Sequence, residues 1–285
     1  TTTTYTLTVT NTASGCTHSD QVLVTVDFSQ PTVFAGNDFS KTCTQNNSGL
    51  PIGMAPVAGV TYAWNNTIGL DNPTIPNPTA NPSTTQTYIL TATQSSSGCQ
   101  KKDTVIVTVN LTQPLATPGS TFTKTCTNLT NGALIGFAGQ PNVSYSWSPA
   151  TGLSSSTISN PNANPSVTTL YTLTATHNAS GCQATGSVNV IVDIEYPIVN
   201  AGNDFTITCS QIPNGQAIGM TSISGVTYTW STTAGLSPTT STNPVANPTT
   251  STTYTLTAVD QSSGCISQDD VTVTVNKTPP AVNAG

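Results

Sequence analysis

The sequence predicts an all-β chain of tandem, seven-stranded, two-sheet β-sandwich domains, and three observations carry that prediction. Every cysteine recurs at one interval: Cys16, Cys99, Cys182 and Cys265 stand 83 residues apart, as do Cys43, Cys126 and Cys209. Trp64, Trp147 and Trp230 keep the same step, as do Tyr5, Tyr88, Tyr171 and Tyr254. A period of this length, held without insertion or deletion, means copies of one small domain. The segments between turns are short, β-branched and alternate with period two, and no helical periodicity interrupts them.

Pro31, Pro114, Pro197 and Pro280 occupy equivalent places just after Val-rich runs and mark the junctions. Whole repeats are therefore expected at 28–110, 111–193 and 194–276. Residues 1–27 read as the C-terminal part of a preceding repeat, and 277–285 as the start of a following one. The chain reads as an excerpt of a longer protein.

Within a repeat, two short strands are expected near 32–36 and 39–45, then a fragment around Ile52-Gly53. Val60-Tyr62-Trp64, Val143-Tyr145-Trp147 and Val226-Tyr228-Trp230 alternate as a third strand. A turn-rich stretch follows, with Gly69-Leu70, Asn77-Pro78 and Asn81-Pro82 repeated at the 83-residue step; prolines suit an edge or the surface. In the next strand Tyr254 and Leu256 point inward, and Thr253, Thr255 and Thr257 outward. A Ser-Ser-Gly-Cys hairpin loop, ending at Gly98-Cys99 in the first copy, leads into the last strand. There Val105, Val107 and Val109 line one face, matched by Val188, Val190, Val192 and by Val271, Val273, Val275.

Charged residues form 6% of the chain, there is no arginine, and Glu195 is the only glutamate. A net charge of −6 with so few lysines argues against nucleic-acid binding and against electrostatic attachment to anionic membranes. No apolar run approaches the ~20 residues of a membrane helix. Thr, Ser and Asn side chains must supply solubility. Asn-x-Ser/Thr triplets at Asn46, Asn65, Asn110, Asn128, Asn142, Asn178 and Asn276, and Asp103-Thr104-Val105, are glycosylation hypotheses.

The run Tyr145-Ser-Trp-Ser-Pro-Ala-Thr-Gly-Leu153, with Asn160-Pro161, Thr-Leu-Tyr-Thr-Leu-Thr-Ala-Thr at 169–176 and Gly181-Cys182, carries a resemblance. It is similar to the PKD-like and immunoglobulin-like repeats of giant secreted surface proteins of Bacteroidota, including gliding-motility adhesins and other type IX secretion substrates. The resemblance covers essentially the whole chain. It implies an immunoglobulin-like stalk outside the cell, displaying a distal region that holds the surface or glycan ligand. Expected partners are neighbouring repeats of the same chain and other copies in a filament. The alternative is a repeated binding module that contacts glycans, surfaces or ice through Thr-rich faces such as Thr253-Thr255-Thr257.

The cysteines lack the closely spaced pairs that zinc favours, leaving disulfides, with free core thiols as the alternative. One scheme pairs Cys43–Cys99, Cys126–Cys182 and Cys209–Cys265 within repeats; a rival joins Cys16 to Cys43. Read as the second strand of an immunoglobulin-like sandwich, the segment before Cys43 ends at the same pole as the hairpin holding Cys99. Cys16 would then be about 30 Å from Cys43, and the intradomain scheme is expected. Trp64, Trp147 and Trp230, with Tyr62, Tyr145 and Tyr228, are expected in the cores, with a ligand platform as the alternative for the tryptophans.

Catalysis is not expected. His18 and His177 are not equivalent to each other, and His177 corresponds to Gln94 and Asp260, so both read as loop residues. Lys41 and Lys124 correspond to Ile207, which rules out a general Lys–Asn crosslink. No cofactor is expected. Junction calcium is the one alternative, with Asp27 approaching Asp103, and Asp193 and Glu195 approaching Asp269 and Asp270. The middle junction offers only Asn110 and Gly186.

Overall fold

Residues 1–279 and 281–282 are described in the computed structural model of the chain. Pro280, and with it part of the expected repeat start at 277–285, lies outside the described residues. Three four-stranded sheets follow one another, each with the same spatial order of an opening strand, a Val strand, a Tyr strand and a Trp strand. The opening strands are Phe39–Lys41, Phe122–Thr125 and Phe205–Thr208. The Trp strands are Val60–Trp64, Val143–Ser148 and Val226–Trp230. The Tyr strands are Gln86–Gln94, Thr169–His177 and Thr252–Asp260. The Val strands are Gln100–Val109, Gln183–Asp193 and Ile266–Asn276.

A second, small sheet faces each of these. Leu50–Pro51 pairs Thr79–Ala80, and Ala133–Leu134 pairs Asn162–Ala163. In the third copy Gln216–Ala217, Val245–Ala246 and Leu236–Ser237 form three strands. Isolated bridges Leu70↔Ala80 and Leu153↔Ala163 stand where that last strand would be. The architecture is that of tandem immunoglobulin-like sandwiches, open and wholly β.

Alternation builds the cores. Tyr88 faces Val105 across the ladder and Tyr254 faces Val271, so one face carries the tyrosine, leucine and valine side chains. Tyr88, Tyr171 and Tyr254 have no exposed surface, and neither do Leu90, Val105, Val107, Leu256, Val271 and Val273. Each such burial stabilises by about 1.5–3 kcal/mol relative to exposure. The tyrosine hydroxyls donate to Ile68 O (2.5 Å), Thr151 O (2.7 Å) and Ala234 O (2.6 Å) in the turn-rich stretch, and burial raises all three pKa values. Three separate clusters result, from Val33 to Val109, Ala116 to Val190 and Val199 to Val273.

Trp64 and Trp147 are buried, and their indole N–H groups donate to Ile75 O (3.2 Å) and Ile158 O (2.9 Å). Trp230 is half-buried, and its buried N–H has no partner. Tyr62, Tyr145 and Tyr228 lie half-buried at the core margins. Pro31 and Pro114 are buried and Pro197 half-buried.

The expected strand at 32–36 is not a ladder strand. It is anchored instead by one side-chain and one main-chain bond: the N–H of buried Ala35 donates to Asp103 Oδ2 (2.7 Å), and Ala35 O accepts from Gly53 N (2.7 Å). The N-terminal hairpin, Thr3–Thr10 with Thr17–Val24, keeps the Tyr/Val register, with Tyr5 opposite Val22. Its apolar side chains are exposed, Tyr5 by 59%.

The chain divides into two compact units. One comprises Thr1–Leu115, Gln140–Ser144 and Ala175–Ala184; the other comprises Ala116–Gly139, Tyr145–Thr174 and Thr185–Gly285.

Candidate functional site: two disulfide clasps

The cysteine pairing differs from the intradomain expectation. Cys43 is bonded to Cys182 and Cys126 to Cys265, each across a sequence separation of 139 and a Cα–Cα distance of 5.0 Å. Cys16, Cys99 and Cys209 are free. Neither Cys43–Cys99, Cys126–Cys182, Cys209–Cys265 nor Cys16–Cys43 is formed.

The reason is the direction of the opening strand. Phe39–Lys41 runs parallel to the Val strand, with Lys41 opposite Val109, whereas a second strand of the sandwich would have ended at the other pole. Cys43 therefore follows the C-terminal end of that Val strand, while Cys99 precedes its start at Gln100. At about 3.3 Å per residue, these two ends are about 30 Å apart, far beyond disulfide reach. The hairpin that ends in Cys182 belongs to the next sheet and meets Cys43 within the first compact unit.

The first clasp is built from two short loops. On one side Thr42 folds its loop, with Thr42 Oγ1 accepting from Gln45 N (2.9 Å) and Thr42 N donating to Gln45 O (2.9 Å). On the other, Ser180 N donates to His177 Nδ1 (3.3 Å), and Cys182 N to Ser180 Oγ (3.2 Å). Across the clasp Cys43 N donates to Ser180 O (3.0 Å), while Ser180 Oγ donates to Thr112 O (2.7 Å). Ser180 and Cys182 are each 1% exposed. Their polar groups are all partnered, as burial requires.

The second clasp repeats this within the second unit. Thr125 Oγ1 accepts from Asn128 N (2.9 Å), and Thr127 Oγ1 donates to Ser263 O (3.4 Å). Asp260 takes the place of His177, its Oδ1 accepting from Ser262 N and Ser263 N, both at 2.9 Å. Hydrogen bonds from Ser262 and Ser263 hold its carboxyl at about 2. His177 and Asp260 are thus loop-capping acceptors on the hairpin, a role not legible in the sequence, where His177 reads as a loop residue and Asp260 only as its counterpart. The common signal is an acceptor three residues before a serine.

Glycine permits the close approach. Gly181 and Gly264 have φ of +67° and +69°, and a Cβ on either would lie 2.5 Å from Oγ1 of Thr44 or Thr127. Gly98 and Gly15 have nearly the same φ, +70° and +68°, with nothing within 4 Å. Thr208 folds its loop as Thr42 does, accepting from Gln211 N at 2.8 Å. Both halves of the clasp therefore have their shape without engagement. Each disulfide closes a 139-residue separation, stabilising by about 5 kcal/mol in the chain-entropy model.

Three of the acids considered for calcium, Asp27, Asp103 and Asp269, hold hydrogen-bond partners. Asp27 Oδ1 accepts from Ser29 N (2.8 Å) and Oδ2 from Ser96 Oγ (2.8 Å), which lowers its pKa, the Ser29 bonds most. Asp103 and Asp269 accept the N–H groups of Ala35 (2.7 Å) and Ala201 (2.8 Å). The equivalent pair in the middle copy is Pro118 and Gly186: proline has no N–H, and no acid stands opposite. Gly186 also leaves room for that ring, since a Cβ there would lie 2.9 Å from Pro118 Cδ. Among the described residues no three His, Cys, Asp or Glu side chains converge as a metal site.

No family model and no curated protein matches the chain. Among solved structures, the I-band fragment I67–I69 from titin aligns over 85% of this chain and 97% of its own, at 11% identity and a TM-score of 0.45. The protocadherin GammaB4 extracellular domain aligns over 96% of this chain and 54% of its own, at 15% identity and a TM-score of 0.42. The N-terminal eight Ig domains of Down syndrome cell adhesion molecule give 96%, 40%, 11% and 0.40 for the same quantities. The chain spans about half the length of the latter two structures or less.

Proposed function

We propose that the chain is a structural segment, the stalk or filament shaft, of a secreted cell-surface adhesin built from PKD-like, immunoglobulin-like repeats at 28–110, 111–193 and 194–276. The observation that carries this reading is the pair of clasps, each joining the opening-strand loop of one sheet to the hairpin of the next. A bond of that kind serves continuity between modules, and buried structural disulfides favour an oxidising, extracellular setting. We assign no catalytic residue, and ligand binding belongs to parts of the protein outside this chain.

The Thr-face alternative receives less support. The outward positions Thr253, Thr255 and Thr257 are matched by Leu170, Thr172 and Thr174 and by Thr87, Ile89 and Thr91. Across the ladder Thr255 faces Asp270 and Thr257 faces Gln268. A hydroxyl lattice would need the same residue type at each step.

The test is to alkylate intact producing cells, shave their surface with protease and map the released peptides without reduction. The reading expects peptides joined through Cys43–Cys182 and Cys126–Cys265 in the shaved fraction. Finding the chain only inside the cells, with all cysteines alkylated, would overturn it.

A further inference from the structure

The two disulfides interleave: Cys126 lies inside the interval from Cys43 to Cys182, and Cys182 lies inside the interval from Cys126 to Cys265. We infer that this interleaving makes residues 43–265 a redundant tether, one that stays in one covalent piece after any single backbone break and that stretches only a fraction of its contour. The inference deepens the stalk reading and rests on it for its biological use, but its physical content follows from the pairing alone.

A break between Cys43 and Cys126 leaves the N-terminal piece attached through Cys43–Cys182. A break between Cys182 and Cys265 leaves the C-terminal piece attached through Cys126–Cys265. Between Cys126 and Cys182 both bonds span the break. Linkers such as Leu111–Gln113 and Ile194–Tyr196 are exposed, and exposed loops are where proteases cut. With intradomain bonds, a cut in either linker would sever the chain.

The same pairing shortens the path along which tension travels. From Cys43 to Cys265 the shortest covalent route crosses both disulfides and the roughly 56 residues between Cys126 and Cys182, traversed backwards, in place of roughly 222 residues of backbone. At about 3.5 Å per residue, the reachable extension falls from about 780 Å to about 200 Å, close to fourfold.

The experiment uses the whole chain with a site-specific protease sequence inserted at 111–113, at 194–196 or, as a control, at 28–30. After complete cleavage at 111–113 or 194–196, non-reducing electrophoresis is expected to show one species that separates only on adding reductant. Cleavage at 28–30, outside both bonds, releases its fragment either way. Cys43→Ser makes the 111–113 cut release a fragment without reductant. Pulled from its termini, the nicked, oxidised chain is expected to bear load and extend about fourfold less between Cys43 and Cys265 than the uncut, reduced chain.

Two species from the oxidised, uncut-cysteine chain nicked at 111–113 would overturn the inference. That result leaves the stalk reading standing if surface shaving still recovers disulfide-linked peptides. Surface shaving that fails while the nick test succeeds removes the stalk and keeps the tether.

Discussion

Replacing Gly181 with alanine tests the clasp against an internal control. Gly98 and Gly181 occupy equivalent hairpin loops with nearly the same φ, +70° and +67°, but only Gly181 has a neighbour. An L-residue in the left-handed region costs about 1–2 kcal/mol, so Gly98→Ala is expected to lose that and no more. In Gly181→Ala the new Cβ falls 2.5 Å from Thr44 Oγ1 and 2.6 Å from its Cγ2. Ordinary contact needs about 1 Å more, and a β-branched threonine has little rotamer freedom to yield it. Overpacking of this kind adds about 1–3 kcal/mol, for a total of about 2–5 kcal/mol. Because the strain falls across Cys43–Cys182, that bond is expected to form incompletely, with thiols reacting beyond the free Cys16, Cys99 and Cys209. Denaturant unfolding and thiol titration read both effects. Thr44→Ala in the Gly181→Ala background is expected to recover most of the overpacking portion, a coupling that a double-mutant cycle isolates. Equal losses in Gly98→Ala and Gly181→Ala, with unchanged thiol counts, would refute the close approach.

Four further outcomes are expected. Trp147→Phe breaks the 2.9 Å bond to Ile158 O, whereas Trp230 donates to nothing; Trp147→Phe should cost about 1 kcal/mol more than Trp230→Phe in chemical denaturation. Tyr171→Phe removes the bond to Thr151 O and should cost about 0.5–1.5 kcal/mol by the same assay. Because Asp260 is held at about 2, below its ordinary 3.8, its contribution is present above pH 3.8 and lost as pH falls through about 2; NMR titration of its carboxyl checks this, and a midpoint near 3.8 would contradict it. Gly186→Asp places a Cβ 2.8 Å from Ala116 O and 2.9 Å from Pro118 Cδ, so it should cost about 1–3 kcal/mol in chemical denaturation, and adding Pro118→Ala is expected to recover only part of that loss, because the Ala116 contact remains.

The Tyr, Val and Trp strands were legible because alternation with period two states which side chains face inward, and burial of Tyr88, Leu90, Val105 and Val107 follows from it. The opening strand was not legible in the same way. Three residues, Phe39–Lys41, carry too little pattern to say whether they run parallel or antiparallel to a neighbour, and that one direction decides at which pole Cys43 lies. The cysteine period could not repair the error, because the observed separation of 139 exceeds the intradomain interval by one whole repeat. The partner of Asp103 was not legible for a related reason. That partner is a backbone N–H, and only the matched change to Gly186 opposite Pro118 reveals a hydrogen bond where a cation had been considered.

Every copy carries both a threonine-folded loop and a glycine hairpin, shaped alike whether engaged or idle. Unequal recombination in steps of 83 residues would therefore lengthen or shorten the gene product while always presenting lock to key.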